Sequence, residues 1–349
     1  MLYYIGEWLT QYFGPLRLFT SHLFLIAAGT SISFLLSLIF IPALKKKLPR
    51  DRGREFAVES QAAVGKPTGG GIIFITIFFI ISILFVPFSI FQLIILLICM
   101  FAMITGYLDD RSKTPWNEYL KGFLDLVIAV GAAVVLYYSR EGELWLPFTK
   151  QIFRAAPILY IPLSALIIWV SINSTNCTDG IDGLSSTLVL LALMSMGVFL
   201  YFVIGHVVVS GYLLLPHYEN GARWAIMIFA LVGSLGGYLW HNAYPSSVLM
   251  GDAGSRALGF IIGTSIILSG NPFFILIAGG VMLINGGTGL IKVVLLRFFK
   301  IKIFHNVRFP LHDHFRYRWK WSNTQVLIRY SLIQMLTTIV LFGIFVKIR

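Results

Sequence analysis

An all-α polytopic membrane protein of about ten transmembrane helices is the fold class the sequence predicts, and three observations predict it. Hydrophobic residues fill 57% of the 349 positions and charged residues only 12%, where a soluble domain is nearer half and a quarter. Mean hydropathy is +0.83. Apolar runs of about 20 residues, enough to cross about 30 Å of hydrocarbon, recur along the whole chain. An ordinary cytosolic enzyme is excluded. So is a disordered chain, since no stretch is both polar and of low complexity.

Taken in order, the spans read at 20–44, 70–88, 90–108, 120–138, 155–173, 184–204, 222–241, 256–270, 273–298 and 325–347. The N-terminal MLYYIGEWLTQYFGPLRLF lacks the basic segment and small-residue cleavage site of a signal peptide, so the first long run, Leu23 to Leu44, is expected to stay as a helix. The eighth span is short and Gly-rich, and its separation from the ninth rests on the SGNPF break at 269–273. Short loops, with neither a long soluble insertion nor an inverted repeat of the transporter kind, predict one membrane domain over 1–349.

Ten crossings put both termini on one side, and loop charge decides which. Eighteen of the 27 Lys and Arg residues fall in the odd-numbered loops and four in the even ones. Cytoplasmic loops carry the excess of basic residues, so the odd loops are expected inside and both termini outside. The same rule accounts for the net charge of +12 with bilayer lipid, and not nucleic acid, as the partner. Cys99 lies in an apolar run and Cys177 in a polar loop, which excludes a disulfide framework and a Cys-based zinc site.

Polar density gathers in the odd loops: AVGKPTGGG (63–71), GYLDDRSK (106–113) with Lys121 beyond, NSTNCTDGIDG (173–183), HNAYPSSVLMGDAGS (241–255) and RFPLHDHF (308–315). Solvation alone would dress both faces. Asp109 and Asp110 end a long apolar run, where adjacent carboxylates repel and ask for a cation or a shared proton; a solvated helix end with an Asp109–Lys113 pair is the plainer reading. Asp179 and Asp182 lie three apart, on one face if helical. Asp252 sits in a tight turn between MG and AGS. Five carboxylates on one face, in a chain of fifteen acidic residues, argue for a bound metal, and cysteine-free oxygen ligands favour Mg²⁺ or Mn²⁺. Glycines 69–71, 180, 183, 251 and 254 allow backbone N–H groups to approach a phosphate, although Gly entering a membrane helix is otherwise a packing device. His312 and His314 bracket Asp313 in a basic loop, a setting suited to a lipid or nucleotide phosphate.

These blocks, in this order and spacing, resemble the polyprenyl-phosphate N-acetylhexosamine-1-phosphate transferases from about residue 20 to 345. YLLLPHYENGA (212–222), the RxPLHxHF arrangement and WSNTQVLIRY (321–330) look most like the branch that uses UDP-MurNAc-pentapeptide. The resemblance implies a ten-helix, Mg²⁺-dependent enzyme of the bacterial inner membrane with its site facing the cytoplasm. It would move a phospho-sugar from a UDP-sugar to undecaprenyl phosphate, releasing UMP and forming lipid I; a homodimer is left open. It further implies that Asp109 and Asp110 match the aspartate pair, one of them deprotonating or aligning the lipid phosphate. Lys121 matches a phosphate-contacting lysine, and Asn176, Asp179 and Asp182 the nucleotide-side loop. Asp252 matches the Mg²⁺ ligand and Asn242 an active-site asparagine. His312 and His314 match the outer members of a histidine triplet, with Lys66, Thr68, Leu249 and Arg308 on the substrate side.

Several positions depart from that pattern. Asp313 replaces the middle histidine, Gly69 a methionine, Leu249 an aromatic residue that stacks on uracil, Asp125 a glutamine, Cys177 a leucine and Arg316 an acidic residue. Two other readings stay open. A sister activity would transfer N-acetylglucosamine-1-phosphate from UDP-GlcNAc to the same lipid. An ion-coupled transporter would need charges near the bilayer midplane, where Lys292 is the only clear candidate and can snorkel to the surface.

Overall fold

The structure, a computed structural model, describes residues 1–53, 64–149, 151–304 and 306–347. Among these the order is α1 (Leu2–Leu9), α2 (His22–Leu44), α3 (Gly71–Phe85), α4 (Ile90–Arg111), α5 (Glu118–Arg140), β1 (Glu143–Trp145), β2 (Ile152–Arg154), α6 (Pro157–Thr178), α7 (Leu184–Val198), α8 (Val207–Tyr212), α9 (Gly221–Asn242), α10 (Gly251–Leu268), α11 (Phe274–Met282), α12 (Thr288–Phe298), α13 (Leu311–Trp319) and α14 (Asn323–Lys347). Each of the ten expected spans corresponds to a helix or an interrupted helix. Eight helical stretches are long and apolar enough to cross a membrane. The other two are α3, at 15 residues, and α10, whose 18 residues include Asp252 and Arg256. The chain is a multi-pass, all-α membrane protein.

Apart from Asp252, every residue of α10 is buried, and α3, α4, α5, α6, α7 and α11 pack around it. Small residues make this possible. A Cβ added at Gly259 or Gly263 would come within 2.6 or 2.7 Å of the α6 backbone at Ile172 or Ile168, so the two helices touch backbone to backbone, as small-residue stripes allow in membranes. The SGNPF break separates α10 from α11 as expected. A π-helical turn at Leu283–Gly287 then joins α11 to α12.

Three features differ from the sequence reading. A two-stranded antiparallel hairpin, β1 with β2, sits in an even loop, and its three-residue strands are too short to leave a period. The HDH segment lies in a helix, α13, and not a loop. Pro310 sets its entry, Asp313 lies in its first turn and Arg316 and Arg318 in its last, the charge order a helix dipole favours. Arg256, one of the eighteen basic residues counted to the odd loops, lies inside α10.

The Met1 ammonium donates to Leu84 O at 3.0 Å, and Lys347 Nζ approaches the Tyr212 hydroxyl at 3.4 Å. The two terminal helices are thus anchored at the even-loop end. The polar blocks all lie at the opposite end.

Candidate active site

At the odd-loop end the ends of α4 and α6 meet the starts of α5 and α10, and α10 brings Asp252 there in its first turn. The turn before it demands glycine. Gly251 has φ +68°, and a Cβ there would sit 2.3 Å from Asp110 Oδ2 and 2.7 Å from Gly69 N. Asp110 fills that space by capping α10: its Oδ1 accepts from Asp252 N at 2.9 Å and its Oδ2 from Ala253 N at 3.0 Å. A carboxylate on two free N–H groups of a helix N-terminus is a strong anchor.

Asp109, one residue earlier on α4, points about 100° away around the helix and meets α5. Its carboxylate pairs closely with Lys121 Nζ and accepts from Trp116 N at 2.8 Å. Lys121 Nζ also reaches Asp252 Oδ2 at 3.1 Å. Asn176 Nδ2, near the end of α6, donates to Asp252 Oδ1 and to Ser255 Oγ, both at 3.0 Å. Lys121 therefore bridges two carboxylates, leaving that trio formally −1. Lys113, the partner considered for Asp109, instead offers its carbonyl to Arg52.

Of the five carboxylates expected on one face, Asp109 and Asp252 share Lys121, whereas Asp110 and Asp182 serve partners of their own, because helix phase aims neighbours at different helices. Asp182 accepts from Ser246 N at 3.0 Å and Ser246 Oγ at 2.7 Å, with Lys66 Nζ at 3.4 Å. Lys66 also donates to Ser246 Oγ at 3.0 Å. Asp179 lies just past the end of α6, in the turn that leads to Asp182. Among the described residues, no three of His, Cys, Asp and Glu gather into a preformed metal cage. What is present is the carboxylate pair of Asp109 and Asp252, joined through Lys121, with the Ser255 hydroxyl linked to Asp252 through the Asn176 amide N–H. That all-oxygen set suits a hard divalent ion, which takes one or two carboxylates and completes its shell with water or substrate phosphate.

The glycine block proves to be a packing device. Gly70 N donates to Leu249 O and Gly71 N to Met250 O, both at 2.9 Å, so those amides are not free for a phosphate. Thr68 N is likewise held, by Pro49 O at 2.9 Å. The backbone of Leu249 is pinned on both sides, its N–H donating to Pro67 O at 2.8 Å, while its side chain is half-buried. Asn242 is buried and acts as a staple. It accepts from Gly183 N at 3.0 Å and Ser186 Oγ at 3.3 Å and donates to Val248 O at 3.0 Å.

The two histidines part company. His312 is buried, its ring against Gly180, where a Cβ would come within 2.6 Å of Nε2. Asn285, on the π-helical turn, accepts from His312 N at 2.9 Å and lies 3.1–3.2 Å from ring Nδ1, while donating to Thr178 Oγ1 at 3.1 Å. Asp313 bonds Arg316 Nη1 at 3.3 Å, so the two departures on α13 partner each other. His314 turns to the other side and, with Arg308, Arg318, Asn306, Val307 and Tyr317, lines a cleft of about 380 Å³. Sequence reasoning missed Asn285, Ser246 and Ser255. A lone amide in the apolar run MLINGG was the available signal for Asn285.

Charges inside the spans are also more numerous than Lys292 alone. Lys292 does reach the surface, donating to Val307 O at 2.9 Å. Deeper, Arg256 Nε and Nη2 bond Asp125 Oδ1 at 2.8 and 2.6 Å, one helical turn below the Lys121–Asp252 contact.

Comparison with known proteins fits this geometry. The profile of glycosyl transferase family 4 matches residues 92–270, which contain Asp109, Lys121, Asn176 and Asp252. A phospho-N-acetylmuramoyl-pentapeptide-transferase of Treponema pallidum (strain Nichols) is 50% identical over 98% of this chain and 95% of its own length. Proteins of that name from Campylobacter hominis (32% identical, 88% of this chain and 90% of the relative) and Helicobacter hepaticus (31%, 95% and 97%) also match. The chain belongs to the phospho-N-acetylmuramoyl-pentapeptide-transferase family, within glycosyl transferase family 4.

Proposed function

We propose that the protein transfers phospho-N-acetylmuramoyl-pentapeptide from UDP-MurNAc-pentapeptide to undecaprenyl phosphate, forming lipid I and releasing UMP. An oxygen of the lipid phosphate attacks the sugar-bearing phosphorus, a new anhydride forms, and the bond to UMP breaks with its electron pair leaving on UMP. The observation that carries the reading is the Asp109–Lys121–Asp252–Asn176 cluster at the N-terminus of the buried helix, in a chain half identical to a transferase so named. The relatives' names favour this donor over UDP-GlcNAc, and charges gathered at one end favour a transferase over an ion-coupled transporter.

The roles follow from the contacts. Three phosphates must meet beside a trio that is already formally −1, so added positive charge is essential. Lys121 would move from the carboxylates to a phosphate and stabilise charge on the departing UMP. Asp109 and Asp252 would hold Mg²⁺, which when bound supplies Lewis-acid neutralisation of the phosphates. Asp110 keeps Asp252 in place through the α10 N-terminus. His312, held by Asn285, would face the donor through the Asp179–Asp182 turn, and Lys66 would lie on the nucleotide side. The basic asymmetry of the loops supports a site facing the cytoplasm, with both termini outside, in the bacterial inner membrane.

UMP release by purified protein given undecaprenyl phosphate and either UDP-MurNAc-pentapeptide or UDP-GlcNAc tests the assignment. Release with the first donor only is expected. Release with UDP-GlcNAc alone would replace it with the sister activity.

A further inference from the structure

The cleft beside α13 has a charge pattern that the phosphotransfer chemistry does not use. Arg308, Arg318 and His314 line it with Asn306 and Tyr317. Asp313 is the only acidic residue after Asp252 in the chain, and Arg316 on the buried side of α13 engages it. Among the described residues neither Arg308 nor Arg318 has a carboxylate partner. The Arg308 guanidinium is stacked over the Tyr317 ring at 4.7 Å, which holds it in place without satisfying its donors. His314 Nδ1 accepts from Arg308 N at 3.4 Å, so in the neutral ring the proton is on Nε2, a donor. Two guanidiniums and an imidazole N–H around one cleft make an anion site, and the planar fork of Arg matches a carboxylate.

We propose that this cleft binds the free carboxylate at the end of the donor's peptide. The assignment depends on the donor proposed above. A peptide whose N-terminal amine is acylated by the muramoyl carboxyl keeps its C-terminal carboxylate free, and five extended residues reach about 17 Å. His312 and His314 are two residues apart on opposite sides of one short helix, so the cleft adjoins the site across the width of α13. Arg308 and Arg318 thereby become specificity residues that distinguish a peptide-bearing UDP-sugar from a bare one. The other source of an anion here is a phospholipid headgroup.

The test is UMP release in nanodiscs with UDP-MurNAc-pentapeptide and with the same donor amidated at its C-terminus. The cleft is open to solvent, which weakens ion pairs, so for the wild type the KM of the amidated donor should rise about three- to tenfold with little change in kcat. The exposed position of Arg318 makes Arg318→Gln a mild change for folding. In Arg318→Gln the two donors should differ by less than about twofold, and Arg318→Lys should fall between. Equal KM for both donors in the wild type, with UMP still released, would overturn the inference alone. So would an Arg318→Gln defect that disappears when phosphatidylglycerol is replaced by phosphatidylcholine, which assigns the cleft to a headgroup. No UMP from either donor would remove the proposed function and this inference with it.

Discussion

Replacing the buried partner of Arg256 should be among the most destabilising single changes in the protein. Helices α5 and α10 carry two ion pairs one turn apart with opposite polarity, Lys121 with Asp252 and Asp125 with Arg256. The lower pair has side chains only 4% and 2% exposed, and Arg256 Nη1 has no hydrogen-bond partner among the described residues. Asp125→Val would strand a guanidinium that cannot lose its charge, at a cost of about 3–5 kcal/mol. Arg256→Met should cost less, about 1–3 kcal/mol, because a carboxylic acid can be uncharged near neutral pH. The double variant removes both charges and should return to within about 1 kcal/mol of wild type, as apolar replacements of buried pairs do. Denaturant titration in detergent micelles measures all three. Asp125→Val within about 1 kcal/mol of wild type, or a double variant no more stable than Asp125→Val alone, would refute this reasoning.

Three further outcomes are expected. Asn285→Ala removes the acceptor for His312 N–H and the donor to Thr178, and UMP release should fall about tenfold or more; wild-type rates would show that His312 needs no such support. Leu249→Phe should lower donor KM by about threefold or more without changing lipid KM, since base–aromatic stacking is worth about 1–3 kcal/mol and the pinned backbone holds the ring in place. A stable variant with unchanged donor KM would place the uracil elsewhere. Cysteines at Lys113 and Glu141, both exposed and at opposite ends of α5, should be labelled from inside and outside the cell respectively, and labelling of both from outside would reverse the topology.

Much of the bundle was legible because lipid demands long apolar runs, and a Gly-Asn-Pro break such as SGNPF interrupts such a run unmistakably. The buried α10 was less so. Asp252, Arg256 and its glycines interrupt the apolar signal, and its 18 residues begin earlier than the run suggested. The site was legible as a set of residues but not as an arrangement. Asp109 and Asp110 are neighbours in sequence, yet the roughly 100° step of a helix sends one to Lys121 and the other to the α10 N-terminus. For the same reason His312 turns inward to Asn285 while His314 turns to a cleft. Asn285 escaped because a single amide between apolar residues and glycines carries no motif of its own, and the partners of Asp125 and Asp313 could be found only once helices were packed.

The most direct test of the central claim is to count products. Purified wild-type protein, supplied with UDP-MurNAc-pentapeptide, undecaprenyl phosphate and Mg²⁺, should release one UMP for each lipid-linked diphospho-sugar formed. Asp252→Asn should lower both together by about a hundredfold or more, the scale on which losing one transition-state contact acts, while remaining folded. A folded Asp252→Asn protein that forms the lipid product at the wild-type rate would contradict the account.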